Sequence, residues 1–91
     1  MIKKSVYKIP EGKLVKVELE TEKGKIKKIK ITGDFFMHPE EMIEKLEENL
    51  VGCEMNQEVL KKHLDNFWKS YHIDCFGINS SGLAEAILMA N

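Results

Sequence analysis

The chain has 91 residues, the size of one small domain covering positions 1–91, with room for a thin hydrophobic core. No apolar run approaches the ~18 residues that a membrane helix needs, and no secretory segment follows the first lysines, so we expect a cytoplasmic protein. All fourteen basic residues are lysines, and the lack of arginine, which binds phosphate through two parallel hydrogen bonds, argues against a nucleotide clamp formed by this chain alone.

Charge is divided unevenly along the chain. Residues 1–32 contain ten lysines and four glutamates, whereas residues 33–91 contain four lysines and eleven acidic residues. The first third is therefore basic and the remainder acidic, although the formal net charge is only −1. Because heat-adapted proteins use many lysines and glutamates in surface ion-pair networks, this composition predicts a thermophilic source.

The first third of the sequence predicts three antiparallel strands. Residues 1–9 have the composition of a strand, and a turn follows at Pro10–Gly12. Residues 14–20 alternate between apolar and charged types, which is typical of a strand with one buried face. After a short hairpin turn at Glu22–Gly24, residues 25–32 return as the third strand.

Ile26 does not fit the alternation of the third strand. Ile29 and Ile31 have the parity of inward-facing residues, and Ile26 has the opposite parity. The sequence therefore predicts either a β-bulge near Lys27 and Lys28 or an Ile26 that belongs to the turn.

The pattern changes from strand-like to helical between residues 31 and 41. Gly33 and Asp34 predict a strand exit, and Pro39 can begin a helix with glutamates in its first turn. This leaves Phe35–Met37 on a short connector. At least two of these three side chains are expected to fill the core, and the alternative is that part of the trio faces a partner. For Asp34, an Asx turn or helix cap is the alternative to a partner contact; for Gly33, the alternative is a turn that requires glycine.

The remaining two thirds predict three helices. The first carries an apolar stripe and ends at Gly52, and Asn56 caps a second helix that reaches about Tyr71. An irregular segment with a turn at Gly77 follows, and Ser80 or Ser81 caps the last helix. These elements predict an α+β fold: a small three-stranded antiparallel sheet with about three helices packed on one face.

Residues suited to catalysis or metal binding are few. The spacing of the two cysteines, Cys53 and Cys75, and of the three histidines matches no zinc motif, and no metal site is predicted. Both thiols are expected to be free, and both lie in the acidic part of the chain, which raises a thiol pKa and disfavours nucleophilic catalysis. His63 is expected to be a core histidine that is satisfied by one hydrogen bond. No catalytic residue is therefore assigned.

The lysines of the third strand leave nucleic-acid binding open as an alternative function. Lys25, Lys27, Lys28 and Lys30 could follow a phosphate backbone. The second and third strands carry no aromatic residue on which a base could stack, and lysines also protect exposed strands from pairing with other chains. A solvated lysine face is the preferred interpretation.

Three stretches resemble the C-terminal accessory domain of lipoate-protein ligases, which some organisms encode as a separate small protein. They are Tyr7–Glu18, Gly24–Phe36 and His38–Glu41. The likeness extends from Tyr7 to the last helix. It implies an α+β domain related to the folds of iron–sulfur assembly scaffolds, and an iron–sulfur or sulfur carrier is a further alternative.

The resemblance implies a subunit that is not catalytic by itself and that supports a lipoate-protein ligase. Such ligases use ATP and Mg²⁺ to activate lipoate, and then lipoylate the lipoyl domains of 2-oxoacid dehydrogenases or the glycine-cleavage H protein. The implied partner is the catalytic subunit, and this chain is expected to bind no cofactor alone. The expected contact residues are Gly33, Asp34, Phe35, Phe36 and His38 at the interface, with Lys13 and Lys16 near a phosphate or carboxylate.

Overall fold

The computed structural model describes residues 1–91 and contains the predicted three-stranded sheet. Strands β1 (Lys3–Lys8), β2 (Leu14–Glu22) and β3 (Lys25–Gly33) pair antiparallel in the order β1-β2-β3. Three helices complete the α+β fold: α1 (Glu41–Leu50), α2 (Gln57–Ser70) and α3 (Ser80–Met89). None of them is both long enough and apolar enough to cross a membrane.

A β-bulge resolves the parity of Ile26. Glu20 pairs with Lys28 and the next residue, Thr21, pairs with Ile26, so Lys27 is the extra residue on β3. The extra residue reverses the alternation, and Ile26 is consequently buried with only 1% of its surface exposed. The first of the two predicted alternatives is confirmed.

The helix ends agree with the sequence except at two starts. Gly52 follows α1 with a φ of +88°, and the Asn56 side chain accepts hydrogen bonds from the first turn of α2, as predicted. Helix α1 begins at Glu41 rather than Pro39. The Pro39 carbonyl accepts from the Met42 N–H at 3.0 Å, and this three-residue spacing is that of a turn rather than of an α-helix.

The cap of α3 is Asn79, not Ser80 or Ser81. The Asn79 side-chain oxygen accepts from the Gly82 N–H at 2.7 Å. The Ser80 hydroxyl lies near the Asp65 carboxylate and lowers the pKa of that group. An asparagine oxygen at this position satisfies a free N–H of the first turn, so the serine is available for a tertiary contact.

A second, two-stranded sheet was not predicted. Strands β4 (Phe36–His38) and β5 (Asp74–Phe76) pair antiparallel, where the sequence predicted a connector and an irregular segment. Three residues are too few to show a periodic pattern, and the two strands are far apart in the sequence. We call this pair of strands the β4–β5 ribbon.

The core lies between the inner face of the three-stranded sheet and the helices. It contains nineteen buried hydrophobic residues and no buried polar or charged side chain. Val15, Val17 and Leu19 of β2 point into it, whereas the intervening Lys16 is exposed. Alternation along β2 therefore leaves the outer face of the sheet in solvent.

Gly33 ends β3 in a conformation that requires glycine. Its φ is +148°, and a Cβ atom at this position would overlap the Leu14 carbonyl oxygen. The Asp34 N–H donates to that same oxygen at 2.9 Å, so the close approach is part of the turn into the ribbon.

We expect Gly33→Ala to destabilise the domain by roughly 2–3 kcal/mol, because it combines backbone strain with a steric overlap. Gly24→Ala is the matched control: Gly24 also has a positive φ, of +75°, but nothing lies within 4 Å of the added Cβ. This control should cost about 1 kcal/mol. Urea denaturation of the isolated domain measures both values, and equal losses for the two variants would contradict the role given to the Leu14 contact.

Candidate docking surface

Two phenylalanines lie side by side in solvent on the β4–β5 ribbon. Phe36 and Phe76 are directly paired, and 54% and 65% of their respective surfaces are exposed. The His38 ring stacks on Phe36 with 6.2 Å between ring centroids, and His38 pairs with Asp74 across the ribbon. These four residues form what we call the ribbon face.

The opposite side of the ribbon belongs to the core. Met37 is 2% exposed, its cross-strand partner Cys75 is half-buried, and Phe35 packs against the core from just before β4. Two members of the Phe35–Met37 trio therefore fill the core, as predicted, and Phe36 is the one that points outward. Successive side chains of a strand point to opposite faces, so Phe36 lies on the face opposite the buried Met37, and no other element covers that face.

Lys13 lies at the margin of the ribbon face. Its Nζ atom is 5.8 Å from the centroid of the Phe76 ring, a cation–π distance, and its backbone N–H donates to the Gly77 carbonyl at 2.9 Å. Gly77 has a φ of +83°, and a Cβ there would overlap the Lys13 side chain. This contact ties the turn between β1 and β2 to the end of β5.

Gly33 and Asp34 lie just before the ribbon, and both are exposed. The Asp34 carboxylate accepts no hydrogen bond within the chain, so the alternative of an Asx turn or helix cap is wrong. The close approach of Gly33 to Leu14 is sufficient to explain why position 33 is glycine. The structure thus leaves the Asp34 side chain, and not Gly33, without a role inside the domain.

Lys16 lies on the outer face of the three-stranded sheet, between Val6 and Thr32. Acidic residues lie between the lysines of this face. The Lys4 Nζ atom, for example, is 3.6 Å from Oε1 of Glu18. The face also lacks an aromatic platform for bases. These features favour the solvated-face interpretation over the nucleic-acid one.

The cysteines and His63 are explained by the fold. Burial raises the pKa of the Cys53 thiol, and the neighbouring Glu54 adds to that increase, so this thiol stays protonated near neutral pH. The Cys75 sulfur accepts a hydrogen bond from the Trp68 indole N–H at 3.3 Å, and neither cysteine is in a disulfide.

His63 is half-buried rather than fully buried, and its Nε2 is 2.8 Å from the Asn49 carbonyl oxygen. No three His, Cys, Asp or Glu side chains are close enough together to hold a metal ion.

The structure thus brings together some of the residues singled out from the sequence and separates others. Phe36 and His38 share the ribbon face, with Lys13 at its margin, whereas Phe35 is turned into the core and Lys16 lies on the outer face of the sheet. Sequence reasoning missed Phe76 and Asp74. The only available signal was the alternation from Asp74 to Phe76, which is too short to identify a strand without its partner.

Comparisons with known proteins agree on one family. The family model described as the bacterial lipoate protein ligase C-terminus matches residues 6–87. "Lipoate-protein ligase A subunit 2" of Thermoplasma acidophilum is 41% identical over 51 residues, which are 56% of this chain and 53% of that protein. The aligned region thus spans about half the length of this curated relative.

A solved structure extends the likeness to nearly the whole fold. It contains a bipartite lipoate protein ligase and its E2 lipoyl domain from Thermoplasma acidophilum. One of its chains superposes with a TM-score of 0.81 at 29% identity, and the match covers 96% of this chain and 94% of that one. Together with the family match over residues 6–87, this places the chain in the family of lipoate-protein ligase C-terminal domains.

Proposed function

We propose that this chain is the accessory subunit of a two-part lipoate-protein ligase. It binds a separate catalytic subunit and completes or orders the site where ATP activates lipoate. The catalytic subunit then passes the lipoyl group to a lysine of a lipoyl domain, in a 2-oxoacid dehydrogenase or the glycine-cleavage H protein. Lipoate, ATP and Mg²⁺ are bound in the complex, and this chain contributes contacts rather than covalent chemistry.

The observation that carries the proposal is the extent of the structural match. Nearly all of this chain corresponds to nearly all of one chain from a bipartite ligase. The likeness is therefore to a chain of similar size and not to one part of a much larger polypeptide. A separate subunit of this kind has to act by binding its partner.

The ribbon face is the proposed centre of the interface. Two adjacent exposed phenylalanines lose water favourably when they are covered, and aromatic residues at the centre of an interface often dominate its binding energy. The neighbouring charged and polar side chains form a rim that can fix orientation. The proposed contacts are the four residues of the ribbon face and the neighbouring Asp34. Of the other contact residues expected from the sequence, Gly33 and Phe35 already have roles inside the domain.

Lys13 and Lys16 are the proposed contacts for a phosphate or carboxylate group. Lys13 is the better placed for a ligand that the two subunits share, because it adjoins Phe76 at the edge of the ribbon face. Its ammonium group already lies against an aromatic ring, so a bound anion would meet a side chain that is partly ordered.

We expect lipoate-dependent pyrophosphate exchange by the cognate catalytic subunit to require this chain. The rate should rise as the chain is added and reach a plateau near one equivalent, because the accessory subunit completes one site per complex. The isolated chain should show no exchange. A catalytic subunit that is equally active without the chain would overturn the proposal.

We expect Phe36→Ala and Phe76→Ala each to weaken binding of the catalytic subunit about 10- to 100-fold, the range of interface hot spots. Both rings are more than half exposed in the isolated domain, so its melting temperature should change little. Calorimetric titration and thermal unfolding of the same samples separate the two effects.

Met89→Ala is the matched control for these two variants. Met89 is an exposed apolar side chain on α3, 50% exposed and outside the ribbon face. Its replacement should leave the affinity unchanged. If the two phenylalanine variants lose no more affinity than Met89→Ala does, the ribbon face is not the centre of the interface. A large drop in melting temperature for Phe36→Ala would assign that ring to stability instead.

A further inference from the structure

The two edges of the three-stranded sheet differ in whether they can accept another strand. The β3 edge is closed: the Glu47 carboxylate accepts from the Ile31 N–H at 2.6 Å, and Ile26 exchanges backbone hydrogen bonds with Gly52 and Cys53. Residue Lys27 forms the bulge on the same strand. Bulges and covering segments are how proteins block strand edges from pairing with other chains.

The β1 edge has no such cover. β1 pairs with β2 alone, and the register places Ser5 opposite Val17 and Tyr7 opposite Val15. Because Ile31, the partner of Val17 on β3, directs its N–H away from β2, Val17 must bond to β1 on its other side. Ser5 and Tyr7 therefore bond to β2, and the N–H and C=O groups that point outward belong to Lys4, Val6 and Lys8. None of these three residues makes a backbone hydrogen bond outside the sheet.

The side chains of this edge determine what can pair with it. Val6 is 56% exposed and lies between Lys4 and Lys8 on the outer face, and β1 contains no acidic residue. If two copies paired antiparallel about Val6, each Lys4 would face a Lys8, which is unfavourable. A complementary strand instead has an apolar residue opposite Val6 and acidic residues opposite the two lysines.

We propose that β1 is a docking edge for an extended acidic segment of the catalytic subunit, which joins the sheet as a fourth strand. The inference rests on the proposed function for the identity of the partner. The turn that follows β1 contains Lys13, which bonds to Gly77 at the end of β5 and adjoins the ribbon face. One partner can therefore cover the ribbon face and continue along β1, by the strand-addition mode of peptide recognition.

Residue-resolved amide hydrogen exchange tests the proposal directly. In the isolated chain, the outward amides of Lys4, Val6 and Lys8 should exchange fast, and those of Ser5 and Tyr7 should be protected. In the complex, exchange of the three outward amides should slow by at least about tenfold, because each of these N–H groups gains a hydrogen-bond acceptor on the added strand. Fast exchange at all three positions in a fully formed complex would overturn the inference and leave the proposed function intact.

Two variants test the same edge through affinity. Val6→Pro removes an outward N–H that has no partner within the chain, and it should weaken the complex about tenfold more than Val6→Ala, which keeps that N–H. Lys4→Gln with Lys8→Gln should weaken it more than Lys62→Gln with Lys69→Gln, which removes the same charge from α2. Equal effects within each pair of variants would contradict the proposal that an acidic strand docks on β1.

The remaining outcomes separate the two proposals. If no complex forms with the cognate catalytic subunit, both the proposed function and this inference fail. If the three outward amides become protected in the isolated chain as its concentration rises, the occupant is a second copy and the inference is wrong. Protection that appears only with the catalytic subunit supports it.

Discussion

Burial of Met37 fixes the orientation of the ribbon on which the proposed function depends. Met37 packs into the core with 2% of its surface exposed, and alternation along β4 then directs Phe36 and His38 into solvent. Pairing with β5 adds Phe76 next to Phe36. An exposed aromatic pair is thus a direct consequence of one buried methionine, and turning the pair inward would require leaving Met37 in water.

The domain keeps its charges at the surface and its buried Cys53 thiol protonated, which suits the proposed role of binding a partner. The core contains no polar or charged side chain, and burial raises the pKa of Cys53. Asp34 is exposed with no hydrogen bond of its own, and Lys13 rests on a phenylalanine ring. The Asp34 side chain is available to a partner at little cost, because no internal hydrogen bond must be broken first.

The ribbon face and the β1 edge meet through the turn between β1 and β2. Lys13 in this turn bonds to Gly77 at the end of β5, so the basic edge strand and the aromatic ribbon are held in a fixed relation. Apolar rings contribute area-dependent affinity, whereas a free strand edge contributes directional hydrogen bonds and register. A single partner that uses both gains strength from the first and specificity from the second.

The sequence by itself determined the three-stranded meander, the bulge as one of two alternatives, the cap of α2 and the end of α1. Each of these depends on neighbouring residues, through alternation, glycine conformation or a side chain that reaches the next turn. The sequence also singled out Phe36, His38 and Lys13, partly through resemblance to a family.

Only the tertiary structure decided the second sheet and the membership of the ribbon face. Strands β4 and β5 have three residues each and are separated by two helices, so nothing local indicates that Phe36 and Phe76 are neighbours. The structure also showed that Asn79, and not Ser80 or Ser81, caps α3, because its side-chain oxygen accepts from the Gly82 N–H. Only the tertiary structure showed that the two sheet edges differ. The carboxylate that closes the β3 edge at Ile31 belongs to Glu47 of α1, sixteen residues further along the chain.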